Sequence, residues 1–310
     1  MGDIGKVSGR KKKNNLMNGW QAKIFIVVFM FIPVLIGIVW DLISKIGTFT
    51  MMFRDKYGTG FGTYWIEWAF KEFTTKGSQT NVAIGVGLKQ IAVNMFIFTP
   101  LQFVMGFFFS RKIPLHKTMR TIFYLPTIMS SIATASIFQL MFDNSFGPLL
   151  PFVELITGKS LPLEGILYNK DTTLTMIFIY QAWTGLGGPV IILTATLNKV
   201  PQELYEASRL EGIGLWGEFF YIAVPMSCQM LSVYVLGNLL SGFSMYTEIL
   251  LLTDPAQSNV WSFSYLITEN SLNGRYYHAA GLGFVCSMIA IPIVAIVRWA
   301  ADKFLPDTSV

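Results

Sequence analysis

The sequence predicts an all-α membrane protein: a six-helix transmembrane bundle with an L-shaped pair of short helices on the cytoplasmic face and loops on the outer face. Three observations predict it. The 310-residue chain is 53% hydrophobic and 13% charged, against roughly 25% charged in soluble domains. Six segments reach the roughly 20 predominantly apolar residues that a spanning helix needs. Lys and Arg gather in alternate connections, which is the orientation signal of a multi-pass protein. The exception is 47–87, with Arg54, Lys56, Lys71 and Lys76, and long loops translocate largely regardless of charge. The formal net charge of +5 is therefore read as topology, and no nucleic-acid partner is expected.

The elements follow in order. Residues 1–23 form a basic tail with Arg10, Lys11, Lys12 and Lys13, a solvated charge run on the cytoplasmic side. The first span covers 24–46; it is too long for a signal-peptide core, lacks a small-residue cleavage site, and reads as a retained helix. Residues 47–87 form a long outer loop rich in aromatics (Phe61, Tyr64, Trp65, Trp68, Phe70), read either as an interfacial amphipathic helix or as a packed loop. A core domain follows over 88–304. Its spans run over about 88–110, 121–142, 173–197, 226–252 and 278–301, and a short tail covers 305–310. The second and sixth spans are plain hydropathy segments, whereas the third and fourth carry Ser, Thr, Gln and Gly, as helices facing a bundle interior do. The short connection with Arg111, Lys112, Lys117 and Arg120 places that side, and with it both termini, in the cytoplasm. Cys228 and Cys286 lie in apolar segments without metal spacing and read as free buried thiols. His116 and His278 are separate and read as surface residues.

The connection 198–225 is a polar island. Pro201 suits a helix start, where its missing N–H costs nothing. Glu203 and Glu206 complement the amino-terminal end of a helix dipole, and Ala207 and Ser208 are small enough for a partner surface to approach. Gly212 is a natural left-handed helix stop. A second short helix over about 215–223 carries Trp216, Phe219, Phe220 and Ile222, and Pro225 opens the fifth span. One apolar side of this pair is expected to insert into a groove on another protein.

The island also carries a resemblance. Glu206-Ala207-Ser208, then Glu211-Gly212, then Phe219, Ile222 and Pro225, preceded by Val200-Pro201-Gln202-Glu203-Leu204-Tyr205, resembles the coupling loop of ABC importer permeases, in the carbohydrate (maltose-type) family. The chain departs from the family pattern at Ser208, Glu211 and Ile213. Arg120 to Pro126, Phe142 to Gly147 and Trp183-Thr184-Gly185 also look familial, so the likeness extends over roughly 85–300. It implies a non-catalytic permease that translocates a carbohydrate, an oligosaccharide by expectation, across a bacterial or archaeal cytoplasmic membrane. It further implies a second homologous permease subunit, an ABC ATPase dimer, and a solute-binding protein outside. No cofactor is expected in this chain; ATP and magnesium belong to the ATPase. By position, the ATPase-coupling residues are Glu206, Ala207, Ser208, Glu211, Gly212 and Phe219. The substrate-pathway residues are Trp183, Thr184, Gly185, Gly188, Asn238, Ser241, Gly242 and Met245. Glu248 is an ionisable group near the outer end of the fifth span.

Two other substrates fit the same scheme, a polyol or glycerol phosphate. A different class, the ion-coupled secondary transporter, predicts mid-span acid or His relays and repeated halves, and neither is evident. A membrane enzyme requires a cluster of nucleophile, base or metal ligands, and the outer acids Asp143, Glu154, Glu164, Asp171 and Glu269 form no such set.

Overall fold

The computed structural model describes residues 19–158, 165–254 and 257–304. Most of the basic tail, Glu164 and the stretch 305–310 lie outside them. Among the described residues every regular element is helical, and Arg54 and Phe61 form one isolated bridge.

Two compact units are present, 1–51 and 52–310. The first holds all but the last residue of helix α1, built from Gly19–Gly37, a π turn at Ile38–Leu42, and Ile43–Met52. Its apolar side chains are exposed around the helix, as the successive residues Phe29, Met30, Phe31 and Ile32 show. A helix apolar on every side has the composition of a membrane span.

The second unit holds the remaining helices. These are α2 (Tyr64–Thr74), α3 (Gln79–Ser110), α4 (His116–Ile128), α5 (Ser131–Met141), α6 (Leu150–Thr157), α7 (Thr173–Gly185), α8 (Gly187–Leu197), α9 (Gln202–Leu210), α10 (Leu215–Met226), α11 (Cys228–Ser244), α12 (Thr247–Leu252), α13 (Phe263–Leu272) and α14 (Tyr276–Phe304). Among the described residues, three helical stretches are long and apolar enough to cross a membrane: Lys23–Met52, Gln79–Ser110 and Tyr276–Trp299. Three bent pairs pass the same test, α4 with α5 at 106°, α7 with α8 at 45°, and α10 with α11 at 77°. Six spans result if each pair counts as one.

Several expected boundaries move. The second span begins at Gln79 rather than 88, so the last part of the 47–87 loop is helix. The aromatic segment of that loop is α2, packed on α14. Trp65 stacks on Tyr277 at 5.7 Å and lies 4.4 Å from His278 between ring centroids. His278 is thus half-buried against Trp65 and Trp68, not a surface residue. Pro225 does not open the fifth span. It sits inside α10, and the break falls at Ser227.

Close approach is built with glycine. At the crossing of α3 and α11, a Cβ on Gly87 would lie 2.7 Å from the Gly242 carbonyl oxygen. Only residues without a side chain let these backbones meet. The two connections that charge assigns to one side do touch: Arg111, just after α3, reaches Tyr205 of α9 and Glu218 of α10. At the opposite end Asn259 Nδ2 donates to the Lys170 carbonyl at 3.1 Å.

Candidate functional site

Two features carry polar chemistry, an elbow formed by α9 and α10 and a cavity where broken helices meet.

The elbow turns on Gly212, whose φ is +78°, the left-handed conformation that side chains resist. Ile213 N–H donates to the Ser208 carbonyl at 2.9 Å and Gly212 N–H to the Arg209 carbonyl at 3.0 Å. This paired closure is a Schellman stop. Ile213 fills the bend by lying over Gly217, where no Cβ fits. The underside is apolar: Phe219 meets Phe107 at 5.3 Å and Phe103 at 6.1 Å, with Leu193, Leu197 and Ala223 around it.

Within this underside sits an ion-pair node that sequence reasoning did not single out. Glu218 is 1% exposed. It pairs with the guanidinium of Arg111, and with Arg209 Nε at 3.0 Å. Arg111 also lies over the Tyr205 ring at 3.9 Å. Burial lowers the Arg111 pKa from its ordinary value and raises that of the Tyr205 hydroxyl, the latter opposed by the neighbouring cation. One carboxylate thus ties the end of α3 to both arms of the elbow. Of the six residues placed here by sequence, Glu206, Ala207, Glu211 and Gly212 are exposed, while Ser208 and Phe219 are buried. Ser208 Oγ donates to the Tyr205 carbonyl at 2.9 Å, so Ser208 and Phe219 hold the elbow from inside and present nothing outward. Leu210, Leu215, Trp216 and Tyr221 form the exposed apolar surface.

The cavity, of about 260 Å³, is lined by residues of α3, α7, α11 and α12 and by the residues at their ends. Of the pathway residues expected from sequence, Thr184, Gly185, Asn238, Ser241 and Met245 line it. Trp183, Gly188 and Gly242 do not. Trp183 packs with Phe138 and Tyr180, Gly188 faces Thr127, and Gly242 makes the α3 crossing. The α3 contribution is new: Gln90, Asn94, Phe98 and Gln102 recur every four residues, hence on one helix face. The second span is therefore not a plain apolar one. Gln90 Nε2 donates to Gln181 Oε1 at 2.8 Å, Gln181 Nε2 to Glu248 Oε1 at 3.3 Å, and Asn94 Nδ2 to Ser241 Oγ at 2.6 Å. Asn238 Nδ2 donates to Thr99 Oγ1.

A second cavity of about 250 Å³ shares Thr184 and Glu248 and is walled by Pro126, Met129 and Ser131 at the α4–α5 break. The breaks at 129–130, 186 and 245–246 therefore border two neighbouring polar cavities, the setting in which non-helical backbone at membrane depth is tolerated. A larger cavity of about 430 Å³ lies apart from these breaks, beside Asp143, Asn144 and Tyr168. Among the described residues no three His, Cys, Asp or Glu groups are placed to hold a metal.

Comparison with known proteins places this architecture. Over 134 residues the chain is 31% identical to the probable ABC transporter permease protein YurN of Bacillus subtilis (strain 168), covering 43% of this chain and 46% of that one. It is 24% identical over 208 residues to the arabinooligosaccharides transport system permease protein AraP of the same organism, covering 66% and 65%. The maltose/maltodextrin transport system permease protein MalF of Shigella flexneri is 29% identical over 136 residues, covering 44% and 26%. The chain thus spans less than two-thirds of each relative's length. A chain of the crystal structure of a bacterial ABC transporter involved in the import of the acidic polysaccharide alginate matches with a TM-score of 0.75 at 19% identity, over 92% of this chain and 98% of that one. At that identity the likeness shows a common fold. Residues 99–310 match the family model described as "Binding-protein-dependent transport system inner membrane component". The chain accordingly belongs to that family, whose members are permease subunits rather than catalytic ones.

Proposed function

We propose that the chain is a transmembrane permease subunit of an ATP-driven importer that moves a carbohydrate of the oligosaccharide class inward. It works with a second homologous permease, a pair of ABC ATPases that bind ATP and magnesium, and an extracytoplasmic solute-binding protein. Both termini and the elbow face the cytoplasm. The names of AraP and MalF support the substrate class. So does the cavity, which combines amides and hydroxyls with Phe98 and Met245, the mixture of polar groups and apolar walls that suits sugars.

The observation that carries the mechanism is the elbow: an exposed apolar surface on two short helices, anchored to the membrane helices by a buried carboxylate. In the proposed cycle Glu206, Ala207, Glu211 and Gly212 lie at the ATPase surface, and Leu210 and Trp216 enter a groove in it. Closure of the ATPases then pushes α9 and α10. The push passes through Glu218 and Arg111 to α3 and through α10 to α11, and the broken helices around the cavity yield. Replacing Gly212 with Leu tests this. The Cβ meets open space, so the substitution acts through the backbone conformation and the outer surface. Uptake and substrate-stimulated ATP hydrolysis are expected to be lost in the assembled complex. Normal coupled transport would refute the role.

A further inference from the structure

The cavity is chemically lopsided. Among its described lining residues there is one ionisable side chain, Glu248, and no Lys, Arg or His. The second cavity shares Glu248 and likewise has no cation in its lining. The amide chain from Gln90 through Gln181 points its donors toward that carboxylate. At the far end, Gln90 Oε1 is buried without a hydrogen-bond partner, in a side chain 3% exposed. The lining hydroxyls are spent: Thr184, Ser241 and Ser244 each donate to a backbone carbonyl. Glu248 is therefore the one formal charge that the described lining places in this space.

A sugar hydroxyl can donate to the half-buried Glu248 carboxylate. A substrate carboxylate or phosphate cannot donate, and it brings a like charge close to a carboxylate that no cation in either lining offsets. Resting on the pathway reading, we infer that Glu248 is a specificity-determining residue, a charge filter that admits neutral glycans and rejects uronate-bearing or phosphate-bearing ones. The shared fold carries no such information, since a structural neighbour belongs to an importer of an acidic polysaccharide. The filter also separates the substrates left open by sequence, because glycerol phosphate falls on the rejected side.

The test uses the assembled transporter in nanodiscs with Ser241→Cys as a reporter. The parent, whose Cys228 and Cys286 are buried, sets the background. Cationic and anionic thiosulfonate reagents are compared, each rate normalised to a free thiol. With Glu248 present the cation is expected to react more than about tenfold faster than the anion. Glu248→Asp should keep that preference, and Glu248→Gln should bring the two rates to within about threefold of each other. A panel of neutral trisaccharides is expected to protect the thiol at concentrations at least about tenfold below those of a trigalacturonate, and Glu248→Gln should close that gap. A preference unchanged in Glu248→Gln, or equal protection by neutral and acidic sugars with Glu248 in place, overturns the filter while leaving the pathway intact. A thiol that no reagent reaches, or that no sugar protects, shows the cavity to be off the pathway and removes both readings.

Discussion

The elbow and the cavity lie in one compact unit and are held together by opposite means. At the elbow, a carboxylate that is 1% exposed faces two guanidinium groups, and a Schellman stop and a Phe cluster close the bend. At the cavity, neutral amides and hydroxyls bridge α3, α7 and α11 around breaks in the backbone, and one amide donates to Glu248 of α12. A buried ion pair tolerates little displacement, because separating it leaves an uncompensated charge. Neutral hydrogen bonds exchange partners at a net cost of only about 0.5–1.5 kcal/mol each. The molecule is thus stiff where force is proposed to enter and compliant where a substrate is proposed to pass.

The sharpest way to break this contrast is Glu218→Ala. It strands the Arg111 guanidinium among apolar groups, and the loss is expected to reach about 3–5 kcal/mol, read as a large fall in the thermal midpoint of the purified protein. A fall of a degree or less would mean that the node contributes nothing. Next in size is Gly242→Ala. The added methyl would meet Ile91 and the Gly87 carbonyl oxygen, and forcing α3 and α11 apart costs about 1–3 kcal/mol. An unchanged midpoint would show that the crossing is loose. Gln181→Leu sharpens the other side. It removes both bonds of the amide chain, costs about 1–3 kcal/mol if Gln90 and Glu248 are left unpaired, and is expected to reduce transport far more than stability. Smallest is Arg209→Ala. Its side chain is 61% exposed, so the loss should stay below about 1 kcal/mol. An effect equal to that of Glu218→Ala would contradict the division of labour between the two arginines.

Much of the fold was legible because hydropathy and charge act over long windows. The apolar runs (apart from the earlier start of the second at Gln79), the bend at Gly185–Gly188 and the left-handed Gly212 are where the residues indicate. The breaks at 129–130 and 245–246 were not legible. The first follows Pro126 by three residues and is fixed by Ser130, whose hydroxyl accepts from Ala133 N–H at 3.2 Å. The second has no Pro or Gly at the break and depends on the Met245 carbonyl receiving the Ser262 hydroxyl, a contact across 17 residues. Gln90, Asn94 and Gln102 did leave a signal, a polar stripe every four or eight residues in an apolar helix, but mean hydropathy hides it. Glu218 left almost none. A single acid beside Trp216 and Phe219 reads as a solvated residue until the fold brings Arg111 to it from more than 100 positions away. Ser208 and Phe219 were placed by local motif at the partner-facing elbow, and packing turns both inward; Gly242 was placed in the pathway and lies instead at the crossing with Gly87.

The most direct measurement is the number of ATP molecules hydrolysed per sugar imported by the assembled transporter in liposomes, with wild-type chain or with Glu218→Gln. The isosteric amide keeps the packing and weakens both ion pairs. A stiff elbow predicts that basal hydrolysis persists, that stimulation by the loaded binding protein falls at least tenfold, and that the ATP-to-sugar ratio rises steeply. A ratio equal to that of the wild type, in a complex that assembles normally, would contradict transmission through this node.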